Sequence, residues 1–481
     1  SGSTDSVPSG PRALVPEMSA SSAPEMMSQA ATNGWVLGIV GSVAGLTAVG
    51  ALADAWLLRK SHSPLGGAVR VWAVVLLLCS YGMLAPGLLL NLIQADVSFN
   101  IFGHEKALTS VSESMLALIG KMGREGNTKG AILVSAYAIA IPGVKLLLIM
   151  AGLCLQFLGG VGRLLWARRC LVTVRLISRW ACPDMFAYIL MTYLFRTLNK
   201  PPTLHSDLRL GPGFTCFCVF CVGSTISSLG LRVPEAPPKE GAAPAQPAAK
   251  AACWSGRIVA LAALALAAAF CALLGAGLAI PVMGLHFDLE TLYAARPDLR
   301  AMAPIFDMLR LPELLQSEAG IWQCMVALAQ WLATGDATCG VALVMYALFA
   351  VALPVAHVVA LAIAVVSRRW CAPAMATSAV LGKLCMLDVS LMGAVVIACA
   401  MSNLRQKGVI VALGAGVLPL VGAELCRYAL AVLAGRVSSA AGAARAVADA
   451  ARRGDLERAG STKASDGSLS ESSATGASNA R

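Results

Sequence analysis

Nine stretches of this chain are runs of apolar side chains, near residues 35–57, 71–92, 131–156, 181–199, 214–231, 257–284, 340–366, 384–402 and 412–434. A helix needs about 20 such residues to cross a bilayer, and in hydrocarbon only helices or closed barrels satisfy their own backbone. The expected fold class is therefore all-α, a polytopic membrane protein with about nine spans. Composition agrees. The 481 residues are 57% hydrophobic and 13% charged, with mean hydropathy +0.73, against about 45–50% apolar and about 25% charged in soluble domains. A net charge of +11 invites a nucleic-acid partner, but the basic residues cluster between apolar runs. That placement reads as membrane topology, and no nucleic acid is expected.

The loops alternate in charge. Residues 159–179 carry Arg163, Arg168, Arg169, Arg175 and Arg179 and no acid, and 285–338 carries seven acids against three basic residues. The excess of positive charge on cytosolic loops puts the N-terminus on the non-cytosolic side and the C-terminus in the cytosol; which membrane is involved is left open. The expected domain order is a disordered segment (1–34), an extra span (35–57), a first four-helix module (71–231) and a flexible Pro/Ala-rich linker (232–256). A second four-helix module (257–434) and a largely disordered tail (435–481) follow. The chain opens on Ser1 rather than Met, which reads as a fragment or processed form.

The halves repeat each other. Each runs span, long loop, span, basic linker, span, short loop, span. "SAYAIAIPGVKLLL" places Tyr137, Pro142 and Lys145 in the second span of one, and "VMYALFAVALPVAHVVAL" places Tyr346, Pro354 and His357 in the other. In the third spans "SRWACPDMFAYIL" and "GKLCMLDVSLMGA" align Arg179 with Lys383 and Asp184 with Asp388. "LGPGF" and "LGAGV" (Leu210–Phe214 and Leu413–Val417) precede the fourth spans. Ionic residues inside spans are costly and mark sites by default.

Pro-x-x-Lys in the second span, then Arg179, Trp180 and Asp184, then a Gly/Pro loop, resembles the paraquat-inducible protein A (PqiA/LetA) family over about 70–435. The resemblance implies membrane modules of four helices, a role in moving lipid between membranes, and a separate carrier of MCE type as partner. Bacterial members carry zinc-ribbon Cys-x-x-Cys pairs ahead of each module. This chain has none there, and its second half has His357 for the expected Lys and Leu384 for the Trp.

Pro142 and Pro354 each remove a helical hydrogen bond and clash with the carbonyl four residues back, predicting kinks. The polar set Lys145, His357, Asp184, Asp388, Arg179 and Lys383 then reads as an intramembrane lipid site, with Lys145 suited to a phosphate headgroup. The bland alternative is a lysine neutralised by a buried acid. His357 raises a proton relay, and Glu424 and Arg427, three apart, read as a structural pair. Leu108, Val111, Met115, Leu118 and Met122 have helical spacing, and Gly41 and Gly45 permit close helix packing.

Most of the fifteen cysteines lie in apolar runs and read as packing residues. Cys216, Cys218 and Cys221 lack His or carboxylate neighbours for a metal, and Cys324 and Cys339 leave a disulfide open. No phosphate loop, triad or metal spacing is present, so no enzyme, cofactor or metal is expected. The competing readings are a non-transporting tetraspan-like scaffold that binds other membrane proteins through its long loops, and a proton-coupled transporter of small solutes.

Overall fold

The computed structural model describes residues 28–60, 70–101, 104–199, 204–231, 233–234, 256–295, 316–367, 369–402, 405 and 408–440. The N-terminal segment before 28, nearly all of the linker and the tail after 440 lie outside the described residues, as does the Arg179 side chain. The chain is an all-α membrane bundle carrying two small sheets.

The first helix, α1 (Gln29–Lys60), precedes a unit made of α2 (Val71–Leu89), strands β1 (Asn91–Ile101) and β2 (His104–Ser114), and helix α3 (Met115–Arg124). The unit continues with α4 (Thr128–Leu158), α5 (Val161–Ile177), α6 (Pro183–Thr197), β3 (Leu204–Leu210) and α7 (Pro212–Gly230). The second half has α8 (Gly256–Ala279), β4 (Met283–Phe287), α9 (Leu289–Ala295), β5 (Ser317–Ala319) and α10 (Ile321–Ala333). Then come α11 (Ala337–Val366), α12 (Cys371–Leu384), α13 (Leu387–Ala400), β6 (Val409–Leu413) and α14 (Val417–Ala440).

Among the described residues eight helical stretches are long and apolar enough to cross a membrane: α1, α2, α4, α7, α8, α11, the α12–α13 pair and α14. The ninth expected span is α6, with only 15 residues. It follows α5 through a single 3-10 turn, Ser178–Ala181, and the two form one return leg. α6 is buried around nearly its whole circumference, as a central helix should be.

Exposed tryptophans lie at both ends of the bundle. Trp35 and Trp322 are exposed at the end that carries the sheets, and Trp56, Trp166 and Trp370 at the opposite, hairpin end, as an aromatic belt requires. Trp35 and Trp56 lie 21 residues apart on α1, about 32 Å at 1.5 Å per residue, which matches a hydrocarbon core of about 30 Å.

Strands were not anticipated. β1 pairs antiparallel with β2 and β3, and β4 with β5 and β6. The long loop after the first helix of each unit thus pairs with the short loop before the last. Register repeats too: Ile93 faces Leu210 and Met283 faces Leu413. Gly211 and Gly414 hold the matching corners, where a Cβ would fall 2.1 Å from Asn91 O and 2.3 Å from Pro281 O. The amphipathic helix expected from Leu108 begins only at Met115, because Leu108 and Val111 belong to β2.

Each proline follows a π-helical turn. Ala136–Ala140 precedes Pro142, and Met345–Ala352 precedes Pro354. In i+5 bonding the Leu353 N–H reaches Leu348 O, so Phe349 O would next meet Pro354, which has no N–H. Met386 N, at the break between α12 and α13, donates to Phe349 O instead at 3.0 Å.

The halves meet along α6. A Cβ on Gly393 of α13 would lie 2.8 Å from Pro183 O, so the two helices touch backbone to side chain. Phe186 packs edge-on to Tyr346 with centroids 5.3 Å apart. The Asn127 side chain, capping α4, donates to Ala400 O at the end of α13. One hydrophobic core runs through both halves.

Close glycine packing occurs elsewhere than the sequence indicated. A Cβ at Gly41 or Gly45 meets nothing within 4 Å, whereas one at Gly87 of α2 would lie 3.0 Å from Phe217 N on α7. Gly87→Ala should therefore lower stability by about 1–3 kcal/mol through overpacking. Gly41→Ala should be neutral or slightly stabilising because alanine favours helix. Unfolding of the purified protein in mixed micelles compares the two.

Candidate functional site: buried polar pairs and the seam

The second and fourth helices of each half carry its buried polar contact. Lys145 on α4 is 0% exposed, and its Nζ donates to Ser224 Oγ on α7 at 3.0 Å. His357 on α11 is 5% exposed, and Arg427 Nη1 on α14 approaches its Nδ1 at 3.1 Å. A guanidinium only donates, so that ring nitrogen accepts. Counting 14 residues on from Leu210 and from Leu413, the aligned residues of the two Gly loops, gives Ser224 and Arg427. The two contacts are therefore equivalent under the repeat, with the cation moved from the second helix to the fourth.

The surroundings differ accordingly. Arg427 Nε donates to Glu424 Oε2 at 2.9 Å and Nη2 to Oε1, so the expected pair forms and extends to His357. The guanidinium also lies 4.5 Å from the Tyr428 ring, and the Tyr428 hydroxyl donates to Asp388 Oδ2 at 3.2 Å. A proton relay through His357 Nδ1 would have to displace Arg427. Around Lys145 the neighbours are neutral: Ser224 Oγ donates to Cys221 O, and Cys221 Sγ to Ala181 O.

Asp184, in the first turn of α6, is 1% exposed, and neither carboxylate oxygen has a hydrogen-bond partner among the described residues. Its field reaches Tyr137 on α4 and Tyr188 on its own helix. It faces the helix of Lys145 but forms no pair with Lys145. Asp388 and Lys383 are half-buried, and Lys383 lies within the field of Arg175. The polar residues thus fall into three groups: Lys145 with Ser224, Asp184 alone at the seam, and His357 with Arg427, Glu424, Tyr428 and Asp388. Neither of two pockets, of about 220 and 450 Å³, includes Lys145, Asp184, His357 or Asp388.

The sequence reading missed a polar cluster at the sheet end of the seam. Arg196, near the end of α6, donates through Nη2 to Asp336 Oδ2 at 2.8 Å, through Nη1 to Cys339 Sγ at 3.3 Å, and through Nε to Leu208 O. Its guanidinium lies 4.6 Å from the Trp331 ring. Asn33 of α1 ties in on both sides, donating to Gly335 O and accepting from Ala337 N. Cys324 and Cys339 are buried free thiols, so the disulfide left open is not formed. Among the described residues no group of metal ligands converges, Cys216, Cys218 and Cys221 included.

The family model described as paraquat-inducible protein A matches residues 71–231. Residues 71–231 are similar to the PqiA family. The PqiA match runs from the first residue of α2 to the residue after α7, and holds Lys145, Asp184 and Ser224. The half at 257–434 lies outside it and shares its sheet pairing. No curated protein and no solved structure matches the chain.

Two tests follow. Removing one member of a buried ion pair leaves the other uncompensated, so Glu424→Ala should cost about 3–5 kcal/mol. The double change Glu424→Leu with Arg427→Met should cost much less, which unfolding in micelles would register. For Asp336, burial raises the carboxyl pKa, but hydrogen bonds from Thr338 and Arg196 and the Arg196 charge outweigh it. The group titrates below its ordinary 3.8. Its stabilisation is full above that value and is lost as pH falls through the lowered pKa. Asp336→Asn should remove this acid-sensitive component from a melting-temperature profile across the acid range.

Proposed function

We propose that this PqiA-type membrane protein binds phospholipid and passes it along its bundle. Lys145, His357, Asp184, Asp388, Arg179 and Lys383 would be the polar positions that meet headgroups. The observation that carries this reading is the failure of opposite charges to neutralise one another. Lys145 is fully buried against a neutral serine, while Asp184, equally buried, has no partner among the described residues. A packing role would place them together, since an uncompensated buried ion is expensive. A cation held by one neutral hydroxyl can exchange that bond for a phosphate oxygen, which charge assistance favours.

The route would use the helix breaks. α6 and α13 both start at a break in their leg, with Asp184 and Asp388 in their first turns. The π turns of α4 and α11 lie opposite, and such turns frequently occur at functional sites. By the positive-inside rule the basic residues at the hairpin end, among them Arg163, Arg168, Arg169 and Arg369, would face the cytosol. Lipid would then be handed to a separate carrier on the sheet side, for which an MCE-type protein is the candidate the family likeness supplies. The two halves, 71–231 and 257–434, would act as paired modules.

Lipid mass spectrometry on purified wild type, Lys145→Ala and Asp388→Ala tests the assignment. Both variants should retain several-fold less phospholipid than the wild type. Equal lipid content in all three would remove the intramembrane site.

A further inference from the structure

The helix that precedes the family match, α1, caps one helix in each half. The first N–H groups of a helix have no partner within it, and neither α2 nor α11 is capped by the side chain just before it. Asp54, near the hairpin end of α1, accepts from Val71 N at 2.8 Å and Trp72 N at 3.1 Å, the first two residues of α2. Asn33, at the sheet end, accepts from Ala337 N, the first residue of α11, at 3.0 Å. It also donates to Gly335 O in the turn before α11.

The two attachments differ in their surroundings. Beside Asp54, α1 and α2 touch: a Cβ on Gly50 would lie 3.0 Å from Trp72 Cα. Toward the sheet end they separate, and a cavity of about 450 Å³ lies between Met83 of α2 and Gly34, Gly38 and Ser42 of α1. A Cβ at Gly34 or Gly38 would meet nothing within 4 Å. Here α1 has left α2 and crosses to the second half. On the way it touches α7 and the first turns of α11, which also touch each other. Its buried positions, Val36, Ile39, Val43 and Gly50, fall within about 60° around the helix. That is a narrow seam, against the stripe of about 100° or more of a helix built into a core.

We propose that α1 is a strap over the junction of α7 with α11, hinged on α2 at Asp54 and latched on the second half at Asn33. Releasing the latch swings the N-terminal part of α1 into the space beside Met83 and opens the junction to the bilayer. The hinge is the stronger end, because a carboxylate accepting from backbone N–H groups forms charge-assisted bonds and Gly50 packs beside it. The latch consists of two neutral hydrogen bonds, two residues from the exposed Trp35, at the level where aromatic belts meet headgroups and water. Water can take over such bonds there. A purely structural cap accounts for either end alone. It does not account for one helix capping both halves across a gap of this size. The strap is independent of the lipid route proposed above.

The test places the full chain in phosphatidylcholine vesicles that contain a phospholipid with a diazirine on its acyl chain. Carbene labelling of each helix is then read by peptide mass spectrometry. In the wild type, α7, which is buried along most of its length, and residues 337–344 of α11 should be labelled weakly. The reference is α8, where Leu261 and Leu264 are exposed. Asn33→Ala removes both latch bonds and should raise labelling of α7 and 337–344 several-fold while α8 stays unchanged. Ala337→Pro removes the N–H on the other side of the latch, at a first helical position that proline favours. The extended backbone of Asp336 suits a following proline. This variant should give a smaller rise, and it serves if Asn33→Ala folds poorly. Wild-type labelling of α7 and α11 in both variants, or wild-type labelling already equal to that of α8, would overturn the proposal.

Discussion

Inside this bundle a polar group has only protein to bond, and that constraint organises the structure. Proline is tolerated in α4 and α11 where the backbone groups it frees are covered by neighbouring legs. At Pro354 the carbonyl released by the π turn is taken up by Met386, whose N–H is free because its own leg breaks there. Kink and break are therefore one device. The breaks start α6 and α13 in mid-bundle and bring the two halves together at Gly393 and Phe186. At the ends of the legs the connecting backbone meets the same demand by pairing as β1–β3 and β4–β6.

The two halves follow one plan with different chemistry. Both halves place a polar contact between their second and fourth helices, but one writes it as lysine with serine and the other as histidine with arginine. Moving the cation to α14 required an acid beside it, and Glu424 supplies that acid; the matching position of the first half, counted from the aligned Gly loops, is Cys221. The second half is thus internally neutralised. The first keeps Lys145 and Asp184 buried and apart.

Much of this was legible in the sequence. Apolar run length pointed to the helical legs, because hydrocarbon thickness acts locally. The strands were not legible, since β1 and β3 are separated by about a hundred residues and their pairing is a tertiary fact. Arg196 and Asp336 were passed over for a similar reason: each looks like an ordinary loop-proximal charge until α6 is known to lie against α10 and α11. The aligned Gly loops already related Ser224 to Arg427, and counting onward from them would have found that pair without coordinates. Gly41 and Gly45 misled because a small-residue face permits close packing without requiring it.

The account turns on Lys145 and His357 finding their polar partners within their own half, between second and fourth helices, rather than around one shared hollow. Double-mutant cycles on unfolding free energy test that most directly. Lys145 with Ser224, and His357 with Arg427, should each show a coupling of about 0.5–3 kcal/mol, while Lys145 with Asp388 should be additive. Additivity within both pairs, or coupling between Lys145 and Asp388 of comparable size, would contradict it.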